Sequence, residues 1–143
     1  VSAYLPETFL PSESDRVIFY KRLLDAPLEG LESLSAELED RCGRMPEPAQ
    51  RLFDVARLRH AARARQVIHL GLVKEGLEIR FAEGAVLAPA TLIHLTENFK
   101  DQLSFLPGPP FGIRFEEPLP ADVVKWTTDF LSTLPLDSQK ETG

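Results

Sequence analysis

Residues 68–81 read Ile-His-Leu-Gly-Leu-Val-Lys-Glu-Gly-Leu-Glu-Ile-Arg-Phe. Ile68, Leu70 and Leu72 alternate with His69, Gly71 and Val73, and Leu77, Ile79 and Phe81 alternate with Glu78 and Arg80. A period of two sends successive side chains to opposite faces of a strand. Lys74-Glu75-Gly76 between the two runs supplies a turn, so the stretch predicts a β-hairpin. It decides the fold class because the chain before it follows the other period.

Upstream, Pro6 and Pro11 predict an extended lead-in over residues 1–11, since each disfavours helix at the residue before it. Ser12 can cap a helix from about Glu13 to Leu24, with Asp15 at the third helical position. Val17, Tyr20 and Leu24 share one face of it, widened by Ile18, Phe19 and Leu23, a pattern that predicts burial on more than one side. After Pro27 a second helix is expected from about Leu28 to Cys42, with Leu31, Leu34, Leu38 and Cys42 as a narrow stripe and Gly43 as its stop. Pro46 and Pro48 open a third, about Glu47 to Gln66, with Leu52, Val55, Ala56, Leu58 and Ala62 as its apolar face. Three such helices with short links should pack together.

Downstream of the hairpin, Pro89 starts a fourth helix whose stripe is Leu92, Leu95, Phe99 and Leu103. Pro107-Gly108-Pro109-Pro110 is a hard loop, and Phe111, Ile113 and Phe115 alternate as a third strand. A last helix, about Ala121 to Leu134, presents Val123, Trp126, Thr127, Phe130 and Leu134. The expected class is therefore α+β: a cluster of three helices, then a small three-stranded antiparallel sheet with two further helices. It is read as one domain over residues 1–136, with a frayed polar tail over 137–143. A length of 143 residues, 43% hydrophobic and 27% charged, suits one soluble domain. No apolar run approaches the roughly 18 residues of a membrane span. The first residue is Val1 rather than Met, from which a longer parent is expected. No basic stretch precedes an apolar one, so no signal peptide is expected. Cys42, the single cysteine, leaves no internal disulfide and fits a reducing compartment.

Chemistry is scarce. His60, His69 and His94 are far apart and lie in no metal-ligand motif, so no metal is expected. Cys42 closes a leucine stripe and reads as a small buried hydrophobe, not a nucleophile. Gly71 and Gly76 have the spacing of a phosphate loop, but Leu77-Glu78 follows where Lys-Ser or Lys-Thr is needed. No catalytic residue and no cofactor is expected.

The net charge of −6 hides a division: residues 1–40 carry −6, residues 41–66 carry +5 and residues 67–143 carry −5. An acidic chain does not seek phosphate backbones as a whole. Of the seven arginines of the middle segment, Arg51, Arg57, Arg59, Arg63 and Arg65 surround the third helix instead of lining one face, and Arg59 falls inside the apolar arc, where its stem should pack. Intramolecular pairing is the default for them. A nucleic-acid surface through Arg57, Arg63 and Arg65 is the alternative. On the second helix, Glu37, Asp40 and Arg41 lie at i, i+3 and i+4, off the leucine stripe. The plain reading is an exposed Glu37–Arg41 pair; the functional one is a charged patch that meets a complementary surface.

Ala3-Tyr4-Leu5-Pro6-Glu7 through Phe9-Leu10-Pro11, followed by Arg16 and Phe19-Tyr20-Lys21-Arg22, resembles the start of the C-terminal domain of bacterial transcription-repair coupling factors, the Mfd family. Glu37-Leu38-Glu39-Asp40-Arg41 with Gly43 and Pro46 is similar to that family's helix end, and Leu52 with Ala56-Arg57-Leu58-Arg59 to its next helix. The likeness is clear over residues 3–59. Cys42 departs from the family's usual Phe. The resemblance implies a cytoplasmic, multidomain ATP-driven DNA translocase that displaces stalled RNA polymerase and recruits the excision-repair protein UvrA. Its motor motifs lie elsewhere in the parent. It implies that this domain is an autoinhibitory module that covers the UvrA-binding surface of the parent's own UvrB-like N-terminal module, with Glu37, Asp40 and Arg41 at the contact. Direct DNA binding is not expected.

Overall fold

The structure is a computed structural model that describes residues 3–73, 76–83, 89–108 and 110–134. Lys74 and Glu75 of the expected turn, Pro109 of the hard loop and the tail at 137–143 lie outside the described residues. The elements in order are α1 (Glu13–Asp25), α2 (Leu31–Cys42), α3 (Glu47–Ala64), β1 (Val67–Val73), β2 (Gly76–Phe81), α4 (Pro89–Phe99), β3 (Leu103–Leu106), β4 (Gly112–Glu116) and α5 (Val123–Thr133). The class is α+β, as read from the sequence. The chain divides into two compact units, Val1–His60 and Ala61–Gly143.

In the first unit the Ser12 side chain accepts from the Asp15 amide and caps α1, and Gly43 ends α2 with a positive φ of 94° and its N–H on the Glu39 carbonyl at 2.8 Å. Only glycine adopts that backbone without steric cost. Leu31, Leu34 and Leu38 of α2 are buried as expected, with Cys42 half-buried against the same core. Each such leucine contributes roughly 1.5–3 kcal/mol on burial.

Three expectations for this unit are corrected. First, α1 is buried on one side only, through Phe19 and Leu23, while Val17, Ile18 and Leu24 are exposed; a single core can receive only one stripe of a helix. Second, α3 turns Ala49, Phe53 and Ala56 inward, leaves Leu52, Val55 and Leu58 half-buried and exposes Arg59. The two possible arcs overlap, and the largest side chain, Phe53, decides which one faces the core. Third, the lead-in is not simply extended. Phe9 and Leu10 donate their N–H groups to the Pro6 carbonyl, both at 3.0 Å, and the resulting turn buries Leu5, Phe9 and Leu10.

The second unit holds a four-stranded antiparallel sheet in the order β1-β2-β4-β3. The extra strand is the correction to the expected three. Leu103 is not the end of the α4 stripe: the helix stops at Phe99, Lys100–Gln102 tighten into a 3-10 turn, and Leu103–Leu106 pairs with β4. Leu103 and Phe105 lie opposite Phe115 and Ile113; a free strand edge there gained a ladder that helix propensity could not outweigh. Gly76 is required where it sits, because a Cβ would fall 1.9 Å from the Phe115 carbonyl oxygen. Leu77, Ile79, Phe81, Ile113 and Phe115 are buried on one sheet face. Phe115 meets Phe99 of α4 at 5.1 Å and Trp126 and Phe130 of α5 at 5.0 Å each, all edge-on, a geometry aromatic quadrupoles favour.

Candidate functional site

The charged patch read on the second helix is built from two helices. Arg22 of α1 donates Nη1 and Nη2 to the two carboxylate oxygens of Glu37 on α2, each at 2.7 Å. A forked guanidinium matches a carboxylate in this way with little freedom left to either group. The same guanidinium lies 5.1 Å from the centroid of the Phe19 ring, so its position is also set by the core. One turn on, Arg41 donates to Asp15. Asp15 is itself placed by the Ser12 cap at the start of α1. Glu37 and Arg41 therefore do not pair with each other, as the plainer reading of their spacing had it; each reaches across to α1. Asp40, between them, is exposed and has no hydrogen-bond or ion-pair partner among the described residues.

Electrostatics follow the geometry. The fork from Arg22 holds the Glu37 carboxyl below the usual glutamate range, chiefly through the hydrogen bonds and less through charge, and raises Arg22 in turn. Both groups are solvated, so their pairing fixes orientation more than it stabilises. Glu39 accepts the Met45 amide at 3.2 Å and ties the loop after α2 to the helix end.

The residues that carry the resemblance have structural work in this unit. The Tyr20 hydroxyl accepts the Leu5 amide at 2.8 Å, Arg16 Nη1 donates to the Leu10 and Pro11 carbonyls at 2.7 and 2.9 Å, and the Tyr4 amide reaches the Pro48 carbonyl at 3.1 Å. The Tyr-Leu-Pro and Phe-Leu-Pro pieces, Arg16 and Tyr20 thus form one clasp that holds the lead-in, and with it the start of α1.

The arginine-rich helix is dispersed. Arg51 pairs with Glu47 at 2.9 Å and Arg57 with Asp54 at 3.2 Å, both within α3. Arg65 donates to the Ser132 carbonyl at 2.7 Å and to the Leu134 carbonyl. It caps the C-terminal end of α5, where free carbonyls gather partial negative charge. Of Arg57, Arg63 and Arg65, only Arg63 is exposed and without an ion pair among the described residues.

His60 bonds the Ala26 carbonyl at 3.0 Å and His94 meets Asn98 at 3.1 Å. No group of three or more potential ligands gathers among the described residues. A groove of about 540 Å³ lies between α4 and α5, walled by Leu95, Phe99, Trp126 and Phe130, with His94 and Asp129 also lining it. No nucleophile and base stand within hydrogen-bond reach of each other there among the described residues. No described helix is long and apolar enough to cross a membrane.

A family model described as the TRCF domain matches residues 1–92. The transcription-repair-coupling factor of Escherichia coli strain K12 is 41% identical over 95 residues, which is 66% of this chain and 8% of that protein. The one from Haemophilus influenzae is 28% identical over 137 residues, 94% of this chain and 12% of that protein. The chain thus spans a small fraction of these relatives. A crystal structure of the C-terminal domain of a transcription-repair coupling factor superposes with a TM-score of 0.74 over 92% of this chain and 89% of its own, at 14% identity, a likeness of fold.

Proposed function

The chain belongs to the TRCF domain family, and from that membership we propose that it is a regulatory interaction domain of a transcription-repair coupling factor. In this reading the parent is an ATP-driven DNA translocase that displaces stalled RNA polymerase and recruits nucleotide excision repair. The domain folds back on the parent's UvrB-like N-terminal module and masks its UvrA-binding surface. The observation that carries the reading is the α1–α2 face. Arg22 and Asp15 hold Glu37 and Arg41 in fixed positions on either side of Asp40, whose carboxylate has no partner among the described residues. A preset charge arrangement with one unspent carboxylate suits recognition of a complementary surface, because little side-chain entropy remains to be lost on contact.

If UvrA binds only the open form, closure lowers its apparent affinity by the fraction of molecules open. The clasp dictates which substitutions report on this. Reversing Glu37 alone would also set it against Arg22 and loosen α1 from α2. Asp40→Arg alone, or the exchange of Arg22→Glu with Glu37→Arg, changes the outward charge and spares the clasp. In the full-length protein either should raise UvrA affinity by roughly 5- to 150-fold, the span of typical coupling energies, approaching a protein that lacks this domain. Titration by surface plasmon resonance measures it. Equal affinity for wild type, Asp40→Arg and the truncated protein would remove the masking role.

A further inference from the structure

β1 is an edge strand: it pairs with β2 on one side, and no described residue pairs with its other side. Its seven residues, Val-Ile-His-Leu-Gly-Leu-Val, include no Lys, Arg, Asp, Glu or Pro. Proteins ordinarily protect such an edge with charge, proline, shortness or a covering element, because its free N–H and C=O groups template further pairing. The opposite edge, β3, has four residues and is followed by Pro107. β1 has one partial protection, an irregularity between Val67 and His69 that leaves His69–Val73 as a regular ladder.

Leu70 and Leu72 lie directly opposite Ile79 and Leu77, so they continue the apolar face of the sheet to its rim. Ile79 and Leu77 are buried, but Leu72 is 61% exposed and Ile68 60%. Apolar surface that continues a buried sheet face to its rim marks an interaction site more often than single scattered side chains do.

We infer that β1 is a self-association site, at which a second copy of this chain adds its own β1 antiparallel and joins two four-stranded sheets edge to edge. What singles out a second copy is the self-complementary pattern of the regular segment. Two-fold pairing about Gly71 sets Leu70 opposite Leu72 of the other copy, and Leu72 opposite its Leu70. All four leucines then fall on the joined apolar face, where directly opposed pairs contribute most. Gly71 would face Gly71, with no side chain at the axis. The only side chain large and polar in that segment, His69, points to the other face, over Gly71 of its own strand. The chain's net charge of −6 opposes contact between copies, and β1 is uncharged, so the contact forms where repulsion has no local source. The area involved is small, which makes the dimer weak and concentration-dependent.

Sedimentation equilibrium of the 143-residue chain over a concentration series tests this. Wild type should shift from monomer to dimer as concentration rises, and no further. Leu72→Lys should stay monomeric at the highest concentration used, with helix content and melting temperature unchanged, since the Leu72 side chain already stands in solvent. Leu24→Lys, at an equally exposed leucine of α1, should dimerise like wild type. A monomeric wild type up to several hundred micromolar would overturn the inference. So would a Leu72→Lys chain that dimerises as wild type does, or a dimer that Leu24→Lys dissolves.

Discussion

The two units of this chain both have apolar cores and differ in what accompanies them. In residues 1–60 a core that includes Leu10, Phe19, Leu31, Leu38 and Phe53 is overlaid by directional contacts that set its arrangement: Tyr20 to the Leu5 amide, Arg16 to two carbonyls, Arg22 to Glu37, Arg41 to Asp15. In residues 61–143 an aromatic cluster of Phe99, Phe115, Trp126 and Phe130 packs helices on a sheet. The family model covers residues 1–92 and stops before most of α4, β3, β4 and α5, while the fold likeness covers 92% of the chain at 14% identity. The contrast has a physical source. A hydrogen bond to a named carbonyl needs one residue type at one place, whereas a core accepts many apolar residues of similar volume. Sequence kinship is therefore easiest to trace where the contacts are directional, and shape persists where they are not.

The largest expected effect tests the apolar side of that contrast. Phe115→Ala removes the ring on which three other aromatics converge and should cost about 3–5 kcal/mol, read as a lowered denaturation midpoint. The α1–α2 amide resonances should keep their native shifts in the folded protein. Large shifts there would show that the two kinds of packing are not independent.

Arg65 is a directional contact in the apolar unit and so a test of the contrast from within. Arg65→Ala leaves two carbonyls at the end of α5 without their donor and should cost about 1.5–3 kcal/mol, the usual range for a charged hydrogen bond. Arg65→Lys should recover little, because an ammonium cannot reproduce the fork that spans Ser132 and Leu134. Full recovery by lysine in a urea titration would reduce Arg65 to a simple charge at a helix end.

The smallest effect concerns the clasp of Glu37. Its carboxyl is held below the ordinary glutamate value, so the clasp contributes fully above the unfolded-state pKa and is lost as pH falls through the lowered folded value. Carbon-detected NMR should place the Glu37 midpoint below about 4.3, and Arg22→Ala should return it toward that value. An unchanged midpoint in Arg22→Ala would assign the shift to another neighbour.

The sequence by itself determined most of the element types and most of their boundaries. Periods of 3.6 and 2 are local properties, and Ser12, Gly43 and the prolines mark ends by backbone chemistry that needs no distant partner. It also located Glu37, Asp40 and Arg41 on one exposed face. What it could not decide was pairing. Leu103–Leu106 is compatible with the last turn of a helix or with a strand, and the unfilled edge of β4 chose the strand. Val17, Ile18 and Leu24 have the size of core residues, yet the core of the first unit lies on the other side of α1. Glu37 and Arg41 have the spacing to pair with each other, but Arg22 and Asp15 stand across from them on α1 and take both. Arg65 reads as one basic residue among seven, and only the arrival of the α5 carbonyls from nearly seventy residues away makes it a cap. In each case several partners satisfy the same local rule, and the choice among them depends on which one the folded chain brings within hydrogen-bond or van der Waals reach.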